Sequence, residues 1–343
     1  MKLRPLCSAF GAFAQLKSWM TAGATAALLA TSASATELVL PSEVAATHWK
    51  TGYMQEFADQ VAKRSNGEVT VKIFPAGQLY NDQDAMAALG TGAVHMVWPV
   101  AVRTETIEPR TGVISLPFAL SDKMMTNGCF AKGLTQLMSS YVEPRNLKIL
   151  GFFRTSDLMF IFREREVDSM EDLKNAKIRV TGGRVFLDTM RSLQTSPVSM
   201  AASEMSTALS QGAIDGVFTS PAGWANMIGM TGKYAWYVPG FSLATYAVVV
   251  DKGWFDGLPA NQQAAIQDSI DDIASRQWVD ARAADDKLIQ SMVDQGAVFK
   301  VADDDELKRW QALANENAKE FSGKYGDVVK QMGELSARCG VGS

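Results

Sequence analysis

Arg179 lies within Lys177-Ile-Arg-Val180, a short run that reads as a β-strand. A guanidinium there is costly to bury unless an anion meets it. Its planar fork suits a carboxylate, which it grips through two charge-assisted hydrogen bonds worth about 1.5–3 kcal/mol each. The competing reading is a structural salt bridge from the strand end. Groups that would do catalysis are missing. The two histidines, His48 and His95, are far apart and have no metal-ligand spacing. There is no Gly-x-Ser-x-Gly elbow, no phosphate-cradling Gly-x-x-x-x-Gly-Lys loop and no Gly-x-Gly-x-x-Gly turn. The acidic run Asp303-Asp-Asp-Glu306 reads as the first turn of a helix, where the dipole favours negative charge, before it reads as a cation site. No cofactor and no metal are expected, and the chain reads as a binder rather than an enzyme.

Such a residue needs a scaffold, and 343 residues exceed one compact domain of about 100–200. A net charge of −4 gives no basic excess to neutralise phosphates, so no nucleic-acid partner is expected. The N-terminus reads as an export signal. Lys2, Arg4 and Lys17 precede an apolar run, Ala22–Ala30, followed by Ala33-Ser-Ala35, a small-x-small cleavage pattern. The cut is placed after Ala35. The apolar run is too short to span about 30 Å of hydrocarbon, and Cys7, upstream of it, is badly placed for lipid attachment. Cys129 and Cys339 remain in an exported chain, where they either pair or stay as separate thiols.

The periodicities alternate along the mature chain. Glu37–Pro41 is strand-like; Tyr53, Phe57 and Val61 recur at helical spacing until Ser65-Asn-Gly67; Val69, Val71 and Ile73 alternate as a second strand. Lys148–Phe153, Lys177–Val180, Asp215–Phe218 and Tyr246–Val250 continue the strand series, the last apolar enough for a central parallel strand. Long helical stretches follow from Pro259 to Asp294 and from Asp303 to Arg338. This order argues for an α/β protein with parallel sheets covered by helices. No low-complexity linker divides it, so the chain is expected to cross between two lobes more than once.

Several stretches, in order, resemble the solute-binding subunit of TRAP (tripartite ATP-independent periplasmic) transporters, the DctP-like family. They are Gly67–Leu79, Leu116-Pro-Phe118, Ser169–Val180, Met200–Glu204 with Ala208–Gly212 and Asp215-Gly216, and Trp254–Gln263. The resemblance covers essentially the whole mature chain. It implies a two-lobed periplasmic-binding-protein fold, each lobe a mainly parallel sheet flanked by helices, with a long helix spanning both. The expected division is residues 36–154 plus about 240–283 for the first lobe, and 155–239 plus about 284–343 for the second. It also implies a monomeric periplasmic receptor that delivers a small organic acid to membrane permease subunits. The ligand is expected to be a monocarboxylate with an apolar or aromatic body; a sensor of the same fold, or a sugar-acid or dicarboxylate ligand, is the alternative.

Arg179 matches the family arginine that holds the ligand carboxylate. Relatives carry a second arginine where this chain has Met159, so Arg154 either replaces it or faces solvent; Arg184 is a further candidate. Glu43, in the first strand-to-helix loop, either starts the helix or meets a ligand that also has an ammonium or hydroxyl group. Thr219 either donates to the ligand or ends its strand. Trp98, Trp224, Phe152 and Phe241 align near the cleft; each either belongs to the core or lines the pocket, and as a set they suggest apolar walls.

Overall fold

The computed structural model describes residues 35–341. The export signal and Cys7 lie outside the described residues. Among the described residues eleven strands form three sheets. Strands β1 (Thr36–Pro41) and β2 (Val69–Phe74) pair in parallel. Strand β10 (Leu243–Asp251) is the centre of a second sheet, antiparallel both to β3 (Met96–Val97) and to the long β4 (Leu147–Asp157). These two sheets belong to the first lobe.

The second lobe is built on six strands in the order β11-β9-β5-β8-β6-β7. They are β5 (Met159–Phe162), β6 (Lys177–Val180), β7 (Ser196–Ser199), β8 (Gly216–Thr219), β9 (Tyr234–Tyr237) and β11 (Val298–Val301). β6 is parallel to β7 and β8, whereas β5 is antiparallel to β8 and β9. The α/β, two-lobed expectation holds, with strand directions more mixed than expected. β10 is central but antiparallel to its neighbours. The reason is topological: β4 leaves the first lobe and β10 returns to it, so the two run in opposite directions. The crossing falls at Leu158, whose N–H donates to Ser242 O (2.9 Å), a few residues beyond the expected boundary at 154.

All nine residues of β10 are buried because helices cover both faces. Ala247 and Val249 pack with Phe130, Leu134 and Met138 of the helix Gly128–Val142. The alternate residues, Tyr246, Val248 and Val250, pack with Ile266, Ile270 and Ile273. Those isoleucines sit at helical spacing on the 35-residue helix Ala260–Asp294. Its other half reaches the second-lobe core through Met292. The expected spanning helix is therefore present.

The second long helix, Asp304–Arg338, also serves both lobes, which corrects its placement wholly in the second. Asp303 caps it, accepting from the N–H groups of Asp305 and Glu306, so the acidic run is a helix start. Trp310 is buried in the second-lobe core. At Tyr325 the backbone leaves helical geometry (φ −137°), flanked by Gly323 and Gly326. Beyond the kink, Val328, Met332 and Leu335 pack against the first-lobe helix Gly128–Val142. Cys339 is bonded to Cys129, with Cα atoms 5.6 Å apart. The hydrophobic face of the last turns thus decides which lobe they join.

Candidate functional site

Arg179 sits in the middle of β6, opposite Val198 on one side and Val217 on the other. Its neighbours Ile178 and Val180 enter the second-lobe core, so strand alternation sends Arg179 to the other face. That face borders a cavity of ≈ 50 Å³ between the lobes. The guanidinium is 2 % exposed. Its Nε and Nη2 donate to Met200 O at 3.0 and 2.8 Å, which fixes the plane of the fork. Among the described residues no carboxylate forms an ion pair with it. Burial pushes its pKa down to about 10, opposed by the charge of Glu43, so it remains a cation at neutral pH. A buried cation without a counter-ion among the described residues is able to pair with an anion.

The first lobe contributes Glu43, His48, Thr155 and Tyr246 to the same cavity. Glu43 Oε2 accepts from the N–H of Asp82 (3.2 Å), at the start of the helix Asp82–Ala88. His48 caps the helix Trp49–Arg64, its Nδ1 accepting from the N–H of Lys50 (3.1 Å). Burial, and then the nearby Lys50 charge, push the His48 pKa down to about 3. The ring is neutral and carries its proton on Nε2. Tyr246 is held protonated by burial and by the charges of Asp82 and Glu43. The hydroxyls of Thr155 and Thr181, both lining the cavity, are buried without partners.

Beneath this wall Lys50 is 1 % exposed. Its ammonium donates to Trp98 O (2.8 Å), stands 3.6 Å from Asp82 Oδ2 and lies 4.3 Å from the Tyr246 ring centroid. Burial and the neighbouring Glu43 push Asp82 up to about 6, against the pull of Lys50.

The structure brings Arg179, Glu43 and Thr219 together at this cavity and leaves the other sequence candidates outside it. Arg154 neither faces solvent nor lines the cavity. Its guanidinium bonds Asp122 (2.6 Å), Asp285 (2.6 Å) and Asp157 (2.9 Å), which commits all three of its nitrogens. Met159 lines another cleft together with Arg154 and pairs across the sheet with Thr219. Arg184 is exposed and pairs with Asp188 at 3.3 Å.

The aromatic candidates are core residues. Trp98 stacks on Phe153 with centroids 4.6 Å apart. Trp224 donates to Gly232 O (2.6 Å), and Phe241 packs on Trp310 at 4.3 Å. Phe152 is buried in the first-lobe core. The apolar lining comes from Val44, Val100, Leu158, Met205 and Phe218 instead.

His48, Thr155, Thr181 and Tyr246 were missed by sequence reasoning. Thr155 had a usable signal: it follows Arg154 on a strand, so one of the two must face the cavity side.

The profile of the DctP family, described as bacterial extracellular solute-binding protein family 7, matches residues 41–324. The chain belongs to this family. Among DctP-family relatives, the C4-dicarboxylate-binding periplasmic protein DctP of Rhodobacter capsulatus is 26% identical over 261 residues, covering 75% of this chain and 78% of its own. Two solved structures share the DctP-type two-lobed fold. The sugar acid binding protein DctPAm of Advenella mimigardefordensis, in complex with galactonate, superposes with a TM-score of 0.82 at 17% identity, covering 89% of this chain and 99% of its own. A marine metagenome TRAP solute binding protein specific for pyroglutamate gives 0.81 at 19% identity, with the same coverage. DctP-family proteins are extracellular solute receptors, and no helix among the described residues is long and apolar enough to cross a membrane.

Proposed function

We propose that this protein is the periplasmic receptor of a TRAP transporter and captures a small organic acid whose carboxylate is held by Arg179. The observation that carries this reading is a desolvated guanidinium, with no counter-ion among the described residues, at a cavity between two lobes. The names of the relatives support it, since C4-dicarboxylates, galactonate and pyroglutamate are all carboxylates. Burial strengthens the ion pair that the ligand would form, because water no longer screens it. Lobe closure then places the acid out of solvent and creates the surface offered to the permease. Binding without turnover fits the side chains at the cavity, which include no activated nucleophile.

A thermal-shift screen with an organic-acid library tests the reading, because a ligand that binds only the folded state raises its melting temperature. Wild type is expected to shift with at least one acid. Arg179→Ala should give no shift while melting normally by itself. An unchanged shift in that variant would refute the anchor. The acid should be recovered intact after denaturing the complex. Export with cleavage after Ala35 predicts a mature N-terminus at Thr36, and light scattering should report a monomer. Co-purification with membrane subunits of the permease tests the partner.

A further inference from the structure

Glu43 is 4 % exposed, and its Oε2 accepts only the backbone N–H of Asp82 (3.2 Å). Its Oε1 has no hydrogen-bond partner among the described residues, and no ion pair to Glu43 is present among them. Lys50, the buried cation beside it, is engaged by Trp98 O, Asp82 and the Tyr246 ring. Lys50 and Asp82 therefore offset each other. Two opposite charges remain at the cavity, Arg179 from the second lobe and Glu43 from the first. They do not pair with one another, so the space between them separates a cationic end from an anionic end. Arg103, 7 % exposed and without an ion pair among the described residues, lines a different and wider cleft with Gln83 and Ser199.

From this arrangement we infer that the preferred ligand is a small nitrogen-bearing acid, its carboxylate at Arg179 and an ammonium or lactam N–H donating to Glu43. The inference rests on the carboxylate-anchor reading above and adds the chemistry of the far end. A second carboxylate on the ligand would face the like charge of Glu43 in a water-poor space, where the repulsion is little screened. An apolar far end would leave Oε1 of Glu43 without a partner on closure. A nitrogen donor satisfies that oxygen and leaves the pair of charges balanced. Glu43 is thereby a specificity-determining residue: it rejects other acids as much as it attracts the right one. Val100, Leu158 and Phe218 also line the cavity and offer apolar surface to a short carbon body.

Calorimetry at pH 7 with L-pyroglutamate, L-proline, butyrate and succinate tests this on the full mature chain. Wild type should bind pyroglutamate or proline at least ~100-fold more tightly than butyrate and succinate, the discrimination expected when a buried charged partner is lost. In Glu43→Gln that preference should fall below ~10-fold, with the gain going to the simple acids. Succinate or butyrate binding as tightly as both nitrogen acids in wild type overturns the inference, as does failure of both nitrogen acids to bind. Should Glu43→Gln not fold, the wild-type ratios decide by themselves. Arg179→Ala keeps the two readings apart: loss of all four acids with a wild-type preference for succinate leaves the anchor standing and removes only the role of Glu43.

Discussion

The carboxylate of Glu105 on the first lobe accepts a hydrogen bond from the N–H of Val185, 3.0 Å away, at the start of the second-lobe helix Arg184–Ser192. Its other oxygen is buried without a partner. Burial pushes the Glu105 pKa from its ordinary 4.5 up to about 7, against the lowering effect of the Val185 N–H. Folding therefore takes up a proton at this group between those two values. Its penalty is absent below pH 4.5 and complete above pH 7, so its contribution to stability falls as pH rises through that window.

Glu105→Gln keeps an acceptor for Val185 and removes the titration. Relative to this variant, wild type should lose up to about 3 kcal/mol of stability between pH 4.5 and 7.5. Urea unfolding of both proteins across that range measures the difference. Parallel stability curves would show that Glu105 does not titrate differently on folding.

Arg154 supports the junction between the lobes, with Asp122, Asp157 and Asp285 around it. Burial pushes Asp285 up to about 7 even while Arg154 pulls it down, so removing the arginine leaves carboxylates with nothing to offset their burial. Arg154→Met should destabilise the protein by about 3–5 kcal/mol. Ligand affinity, measured where the variant is folded, should stay within a few-fold. A loss comparable to that of Arg179→Ala would put Arg154 back in the site.

Gly183 has φ +84°, and a Cβ there would collide with the Val102 side chain and come 3.0 Å from the Val102 carbonyl oxygen. Val102 belongs to the first lobe and Gly183 to the second, so the close approach is part of how the lobes meet. Gly183→Ala should lower ligand affinity about tenfold or more, since about 1.4 kcal/mol of strain is a factor of ten. Small-angle scattering of the ligand-saturated variant should show a larger radius than wild type. Equal radii and affinity would refute the prediction.

The Cys129–Cys339 bond closes a loop of sequence separation 210. Replacing both residues by alanine should reduce stability by about 2–5 kcal/mol, read as a lower urea midpoint. Ligand affinity should not change, because the bond ties the chain end to the first lobe, remote from Arg179. An unchanged midpoint would mean that the packing of Val328, Met332 and Leu335 holds the end in place without help.

Local periodicity made most of the architecture legible. The strands carrying Arg179 and Thr219 lie where alternation and turn residues indicate, and the helix ends at Ser65-Asn-Gly67 and Asp303 follow short-range capping rules. The aromatic candidates show the limit of such reasoning. Trp98, Trp224 and Phe241 are sequence neighbours of lining residues, yet their rings turn into the core, since a large apolar side chain gains more from core burial than from a wet cleft.

An α/β binder with an arginine on a short strand could be read from order and spacing alone, because those features depend on neighbours within a few positions. Which arginine stays unpaired could not. Arg154 meets Asp285 across a separation of 131 residues, and Glu43 shares a cavity with Arg179 although they lie on different lobes. The worth of a buried charge depends on what surrounds it in space, and only folding brings those distant groups together.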